Sequence, residues 1–288
     1  MATQGGSWLW SACLRFLIMF VPLLAIVAFT KSLGTVLTEI KKAPLQWIVW
    51  STVGFGLFYA PLTFASAYAP SWLVAGTFQF TIFAGALLTP LFSQTVQTKS
   101  GIKTVRGKIP VRLFPAFFVI LVGVFLLQME NAEAASWQTL LLFTLPVLVS
   151  AFAYPLGNRK TMQLCQDRLT TLQRIFAITL CSMPFWLIIA AAGFVTAGPP
   201  PSGQVFQASL VALFSGLLAT TLFFGTTLKV RSQPHWLALV ESTQCGEVVF
   251  TLLGGVFILK NPWPGILGWI GLVLIVGGMV FNSLLQSK

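Results

Sequence analysis

Pro234-His-Trp-Leu-Ala-Leu-Val-Glu-Ser-Thr-Gln-Cys-Gly-Glu-Val-Val-Phe-Thr-Leu-Leu-Gly-Gly-Val-Phe-Ile258 decides the reading of this chain. The stretch is apolar and longer than the roughly 20 residues a helix needs to cross a bilayer. It nevertheless carries Glu241 and Glu247, two of only six acidic residues in the protein. A carboxylate at such depth is costly and by default marks a pathway or a partnered site. The remaining sequence is read as what surrounds this helix.

Composition agrees with a membrane setting. The 288 residues are 56% hydrophobic and 8% charged, with a mean hydropathy of +0.87. Soluble domains average about 25% charged residues. The net charge of +11 sits in short loops between apolar runs, so orientation in a bilayer explains it better than nucleic acid does. Cys13, Cys165, Cys181 and Cys245 lie in or beside apolar runs without paired spacing, which predicts small core residues and no disulfide framework or metal site. His235 is the only histidine, which argues against a metal centre or a His-based nucleophile. The first apolar run is too long for a cleaved leader and contains Arg15.

Nine spans are predicted: Ser7–Phe29, Leu45–Tyr68, Ser71–Phe92, Leu113–Met129, Trp137–Leu156, Leu169–Phe194, Gln204–Leu228, Pro234–Ile258 and Pro262–Leu285. Alternate connections are basic: Lys31, Lys41 and Lys42 after the first span, then Lys99, Lys103, Arg106, Lys108 and Arg112, then Arg159, Lys160 and Arg168, then Lys229 and Arg231. The other connections hold Lys260 as their single basic residue. The positive-inside rule therefore predicts a cytoplasmic C-terminus and an outside N-terminus in the cell membrane.

An internal repeat is visible. Pro70-Ser-Trp72-Leu73 opens the third span as Pro234-His-Trp236-Leu237 opens the eighth. Gly76-Thr77-Phe78-Gln79 then falls, within one residue, where Glu241-Ser242-Thr243-Gln244 falls. The fourth and ninth spans share a Gly-containing apolar run around Gly123 and around Gly277-Gly278. The first and sixth each hold one arginine, Arg15 and Arg174, with Pro22 and Pro184 further on. Spans one to four thus pair in order with spans six to nine, and the paired spans run in opposite directions. The halves are 1–135 and 136–288. The fifth span has no mate, so the expectation is an all-α polytopic fold with nine transmembrane helices present of ten, the first one missing.

At this point the chain resembles the drug/metabolite transporter superfamily, whose members have ten helices in two inverted five-helix halves. Gly5-Gly-Ser-Trp-Leu-Trp-Ser-Ala-Cys-Leu-Arg15-Phe, Gly54-Phe-Gly-Leu-Phe-Tyr-Ala-Pro61, Ala151-Phe-Ala-Tyr-Pro-Leu-Gly-Asn-Arg159-Lys and Glu241-Ser-Thr-Gln-Cys-Gly-Glu247 look like the branch called putative multidrug resistance efflux transporters. The resemblance covers nearly the whole chain and implies export of small organic compounds. Small multidrug resistance relatives use a carboxylate on their first helix for proton and cation exchange. Here the carboxylates lie on the penultimate helix, so that role does not transfer residue for residue.

At about 1.5 Å rise per residue, Glu247 and Arg15 fall at similar depths, and so do Glu241 and Arg174. Two ion pairs, gating or stapling the path, are expected. Gln244 is placed to bridge the two glutamates, and Gln79 occupies its repeat position. A buried glutamate suits proton exchange: neutral it is cheap to bury, ionised it attracts a cation. Trp8, Trp10, Tyr59, Trp72, Phe78 and Trp236 are candidates for cation–π contact, against the blander reading of interface anchors. Pro155 and Gly157 in Tyr154-Pro155-Leu156-Gly157 are expected either to break the fifth span beside a cavity or to form an ordinary helix exit.

The function expected is proton-coupled export of small organic compounds, lipophilic cations or drugs, with no cofactor and no phosphate-binding Gly-Lys-Ser/Thr loop. Amino acids or other metabolites are the alternative cargo, and a non-transporting accessory subunit is the alternative role. An enzyme is not expected, because no His/Asp or paired-carboxylate constellation stands near a span end. The expected partners are substrate, protons and the lipid bilayer, with no nucleic acid. The chain is expected to act as a monomer or homodimer.

Overall fold

The computed structural model describes residues 6–98, 101–134, 137–166, 168–230, 243 and 245–286. Seven helical runs in it are long and apolar enough to cross a membrane: Trp8–Phe29, Pro44–Tyr68, Val111–Glu130, Leu141–Cys165, Thr171–Ala197, Ser202–Thr226 and Ile266–Gln286. Two shorter apolar helices, Ser71–Leu87 and Gly246–Phe257, lie where the third and eighth spans were predicted. Large apolar side chains cover the outer surface, with Val273, Ile188 and Phe118 each about two-thirds exposed. No soluble domain leaves that much apolar surface in water, whereas a bilayer solvates it. The protein is a multi-pass, helical membrane protein.

Local chemistry sets the ends of these helices. In α1 (Trp8–Phe29), the Ser7 hydroxyl accepts a hydrogen bond from the Leu9 amide. The helix α9 (Thr171–Ala197) opens with a reciprocal cap between Thr170 and Gln173. It stops at Gly198, whose φ of +72° suits glycine, and three prolines follow.

The connection after α1 is not plain loop. It contains an amphipathic helix, α2 (Leu33–Lys42), which buries Val36 and Glu39. The second span is α3 (Pro44–Ser51), a π-helical stretch Thr52–Gly56, and α4 (Leu57–Tyr68). The third span is broken into α5 (Ser71–Phe78) and α6 (Phe80–Leu87), with Gln79 at the break, so its helix ends short of the predicted Phe92. The basic connection that follows is a hairpin of β1 (Ser93–Thr98) against β2 (Gly101–Arg106). Next come α7 (Phe114–Ala134) and α8 (Trp137–Cys165).

The fifth span corrects the sequence reading. Pro155 and Gly157 neither break it nor end it, because α8 runs on to Cys165 and carries Arg159 and Lys160 within the helix. Arg159 donates a 2.7 Å hydrogen bond to the Gly85 carbonyl, and the Lys160 ammonium lies over the Trp50 ring. These contacts hold the extension against its neighbours. The seventh span is α10 (Ser202–Leu210), a second π-helical stretch Val211–Ala219, and α11 (Thr220–Val230). The described part of the eighth is α12 (Cys245–Phe257), and the chain closes with α13 (Ile266–Gln286).

Three antiparallel helix pairs organise the packing. In the α1–α9 pair, Trp10 bonds the Gly198 carbonyl, Phe16 stacks on Trp186 at 4.3 Å, and Phe20 stacks on Phe176. In the α7–α13 pair, a Cβ on either Gly123 or Gly271 would meet the other's carbonyl oxygen at 2.7 Å. The two backbones touch there, as small residues permit in membranes. The Glu130 carboxylate caps the start of α13 by accepting from the amides of Gly265 and Gly268. In the α5–α12 pair, Ser71 bonds the Thr251 carbonyl at one end and Gln79 bonds Glu247 at the other. One apolar core surrounds α1 and α9. A second surrounds α5, α7, α8, α12 and α13.

Candidate functional site

A cavity of about 650 Å³ opens at the end of the bundle that carries the sparsely charged connections. Its walls come from α1, α4, α10, α5 and α12. Its polar lining includes Ser11, Tyr59, Ser66, Gln204, Gln207 and Asn261, and among the described residues no charged side chain lines it. Gln204 is held by donating to the Ser7 carbonyl and the Ser11 hydroxyl, both at 2.7 Å. Across the mouth Asn261 donates to Ser71 at 3.0 Å.

Two charges lie one helical turn beneath this lining. Arg15 follows Ser11 by four residues on α1 and so shares its face. Its guanidinium carbon sits 4.4 Å from the centre of the Tyr59 ring and 5.5 Å from that of Phe16. Its Nε is buried without a hydrogen-bond partner. Gly216, in the seventh span's π-helical stretch, leaves the room beside it. Glu247 precedes Phe250, Thr251 and Gly254 of the cavity wall by three, four and seven residues, one face of α12. Glu247 is exposed to space, yet protein surrounds it densely and Gln79 hydrogen-bonds to it. It lies one turn beyond the cavity-lining residues of the same helix.

Tyr154 of α8 stands between these charges. Its phenol lies within electrostatic reach of Glu247, Arg174 and Arg15. Phe58 packs against Tyr154 at 4.8 Å and Phe78 against Phe58 at 5.6 Å. Sequence reasoning did not assign Tyr154 a site role. The only signal was a lone tyrosine in an apolar span beside Pro155.

The predicted ion pairs meet different fates. Glu247 and Arg15 do not pair: among the described residues the ion pairs within 4 Å are Glu39 with Lys42 and Glu39 with Arg168. The aromatic face of Tyr59 and the amide of Gln79 take the places foreseen for the opposite charges. Arg174 lies over the Phe224 ring at 4.8 Å. Glu241, Gln244 and Trp236 lie outside the described residues. Trp72 is not at the cavity. It is buried in the second core with its indole N–H directed at the Pro262 carbonyl, 3.3 Å away. Trp10 and Phe78 are core residues too, and Trp8 packs edge-on against Phe64.

Toward the opposite end, the described residues Gly54, Tyr154, Gly157, Thr161 and Phe224 line a separate void of about 10 Å³. A Cβ on Gly157 would strike the Gly54 backbone, so α8 meets the Thr52–Gly56 stretch backbone to backbone. Further out, Glu39 of α2 is buried and accepts from Arg168 at 2.5 and 2.9 Å and from Lys42 at 2.7 Å. The hydrogen bonds from Arg168 hold its carboxyl down at about 2.

These features define a membrane helical bundle with one accessible polar cavity above a small set of buried charges. The family model for putative multidrug resistance efflux transporters matches residues 1–288. The chain belongs to this family, which is one of membrane transporters and not of enzymes. It is 47% identical over 284 residues to the uncharacterized protein YjlA of Bacillus subtilis, covering 98% of this chain and 87% of that one. It is 46% identical over 247 residues to an uncharacterized 42.1 kDa protein of Shouchella clausii, covering 86% of this chain and 64% of that relative.

Proposed function

We propose that this protein is a secondary transporter of the cell membrane that exports small organic compounds bearing a cationic group, in exchange for protons. The observation that carries the reading is the polar cavity open at one end of the bundle, with Glu247 one helical turn beyond its lining on α12 and a Gly54–Gly157 backbone contact toward the other end. Glu39 and Glu130 are committed to Arg168, Lys42 and helix amides. Among the described residues Glu247 is partnered by the neutral Gln79 alone, so of the described carboxylates it is the one suited to alternate between proton and cationic substrate.

The reading includes nine spans arranged as an inverted repeat, with halves 1–135 and 136–288. Several observations support it. The first and sixth, third and eighth, and fourth and ninth spans pair antiparallel. The second and seventh spans each hold a π-helical stretch. The third span breaks at Gln79. Broken helices at the midplane of such repeats are where transporters bind. One chain then supplies both halves of a path, with the basic connections and the C-terminus cytoplasmic and the N-terminus outside.

The test is uptake into proteoliposomes, driven by an imposed pH gradient, of two probes: ethidium and a labelled amino-acid mixture. Wild type is expected to accumulate at least one probe with the gradient, and Glu247→Gln to lose the gradient dependence by at least tenfold, the loss expected of a residue whose proton the cycle requires. Accumulation of neither probe, or undiminished coupling in Glu247→Gln, overturns the reading.

A further inference from the structure

Arg15 on α1 and Glu247 on α12 lie on two helices that each contribute to the cavity wall. Each lies four residues, about 6 Å along its helix, beneath a lining residue, Ser11 in one case and Thr251 in the other. Neither has an opposite charge within 4 Å among the described residues. Both lie within electrostatic reach of the same Tyr154 phenol.

A guanidinium is always charged and presents five donors in a planar fork. Here it has only ring faces beside it, and its buried Nε lacks an acceptor. A ring face supplies attraction but accepts no set of hydrogen bonds. The Glu247 carboxylate has an amide for company, which leaves lone pairs open. The wall above is neutral and hydrogen-bonding, with Gln204, Gln207, Asn261 and serine hydroxyls. A lipophilic cation would leave the arginine unanswered and finds the Tyr59 face already taken by it.

We propose that the substrate is a small zwitterion, its carboxylate received by Arg15 and its ammonium by Glu247, with the rest of the molecule in the polar cavity above. The proposal rests on the transport reading and adds the substrate's second charge. It assigns Arg15 a substrate-binding role that a cation exporter does not need.

The experiment is counterflow in proteoliposomes with two matched series. One is phenylalanine, phenethylamine and hydrocinnamate; the other is serine, ethanolamine and 3-hydroxypropionate. Ethidium is run beside them. Wild type is expected to move a zwitterion at least tenfold faster than the amine or acid of its series. Arg15→Gln is expected to abolish that preference while keeping or raising amine counterflow, which also shows that the variant folds. Arg15→Lys restores part of the zwitterion rate. Amines or ethidium moving as well as any zwitterion, with the ratio unchanged in Arg15→Gln, overturns the proposal and leaves the transport reading standing. Loss of every substrate in both Arg15→Gln and Arg15→Lys makes Arg15 structural and overturns it as well. No counterflow of any probe by wild type removes the transport reading and this proposal together.

Discussion

The two ends of the bundle solve opposite problems with different side chains. At the sparsely charged end, short polar groups hold the helices apart around a cavity of about 650 Å³: Gln204 props α10 against α1, and Ser71 with Asn261 ties α5 to the chain beyond α12. At the basic end glycine removes the side chains altogether. Gly54 and Gly157 let two backbones touch, and what void remains is about 10 Å³. Outside that contact, Glu39 and Arg168 bind α2 to the segment leading into α9. Neutral amides and hydroxyls trade partners at little cost, whereas a glycine contact either fits or fails. The two ends therefore differ in how readily their contacts can be rearranged.

The largest expected effect comes from forcing the glycine contact. Gly157→Val places branched carbons against the Gly54 backbone, and overpacking of this kind costs about 3 kcal/mol. Thermal unfolding of the detergent-purified variant should show a clear fall in midpoint, and counterflow should be lost. A variant as stable and active as wild type would mean that the two glycines do not need to touch.

Accessibility distinguishes the ends directly. Gln207→Cys lines the cavity and Asn158→Cys lies at the small void. A membrane-impermeant thiol reagent is expected to label the first about tenfold faster or more, as a solvent-filled site differs from a packed one. Cys13, Cys165 and Cys181 are buried and give little background, and Cys245 is replaced by serine in both variants. Equal rates would erase the distinction between the two ends.

The Glu39 latch is a smaller lever because Arg168 remains partly exposed, and exposed pairs contribute little. Glu39→Gln should raise labelling of Asn158→Cys roughly threefold. Its pH dependence has a definite sign. The carboxyl is held at about 2, below its ordinary value, so the latch is fully present above about pH 4.5 and is lost as pH falls through the folded value. The labelling of Asn158→Cys relative to that of Gln207→Cys, a ratio in which the common loss of thiolate cancels, should therefore be flat from neutral pH to about 5. A rise within that window would show that another group controls the basic end. The smallest effect is expected at the mouth: Ser71→Ala removes hydrogen bonds to Thr251 and Asn261 and should lower stability by about 1 kcal/mol or less.

Much of this was legible in the sequence, and the failures have physical causes. Charge-free runs located the spans, since a bilayer imposes length and apolarity on any helix that crosses it. The scarcity of carboxylates drew attention to Glu247 and its repeat position to Gln79, and the structure bonds the two to each other. The Arg15–Glu247 pair was inferred from matched depth alone. Depth does not fix azimuth, and the residues lie on different helices, α1 and α12, with Tyr154 within electrostatic reach of both. Pro155 and Gly157 looked like breakers, but a helix tolerates proline where neighbours hold it, and Gly157 serves contact with Gly54 rather than flexibility. Trp72 looked like a ligand-facing aromatic, but its ring is buried in the second core.

The sequence by itself determined that this chain lives in a bilayer, which family it belongs to, and which few charges are placed where they are costly. Those follow from composition and local pattern, which act residue by residue. Only the tertiary structure decided that Arg15 answers to Tyr59, that Glu247 answers to Gln79, and that a polar cavity opens at one end while glycines meet toward the other. Those outcomes depend on which faces of distant helices meet, and packing across the bundle sets that.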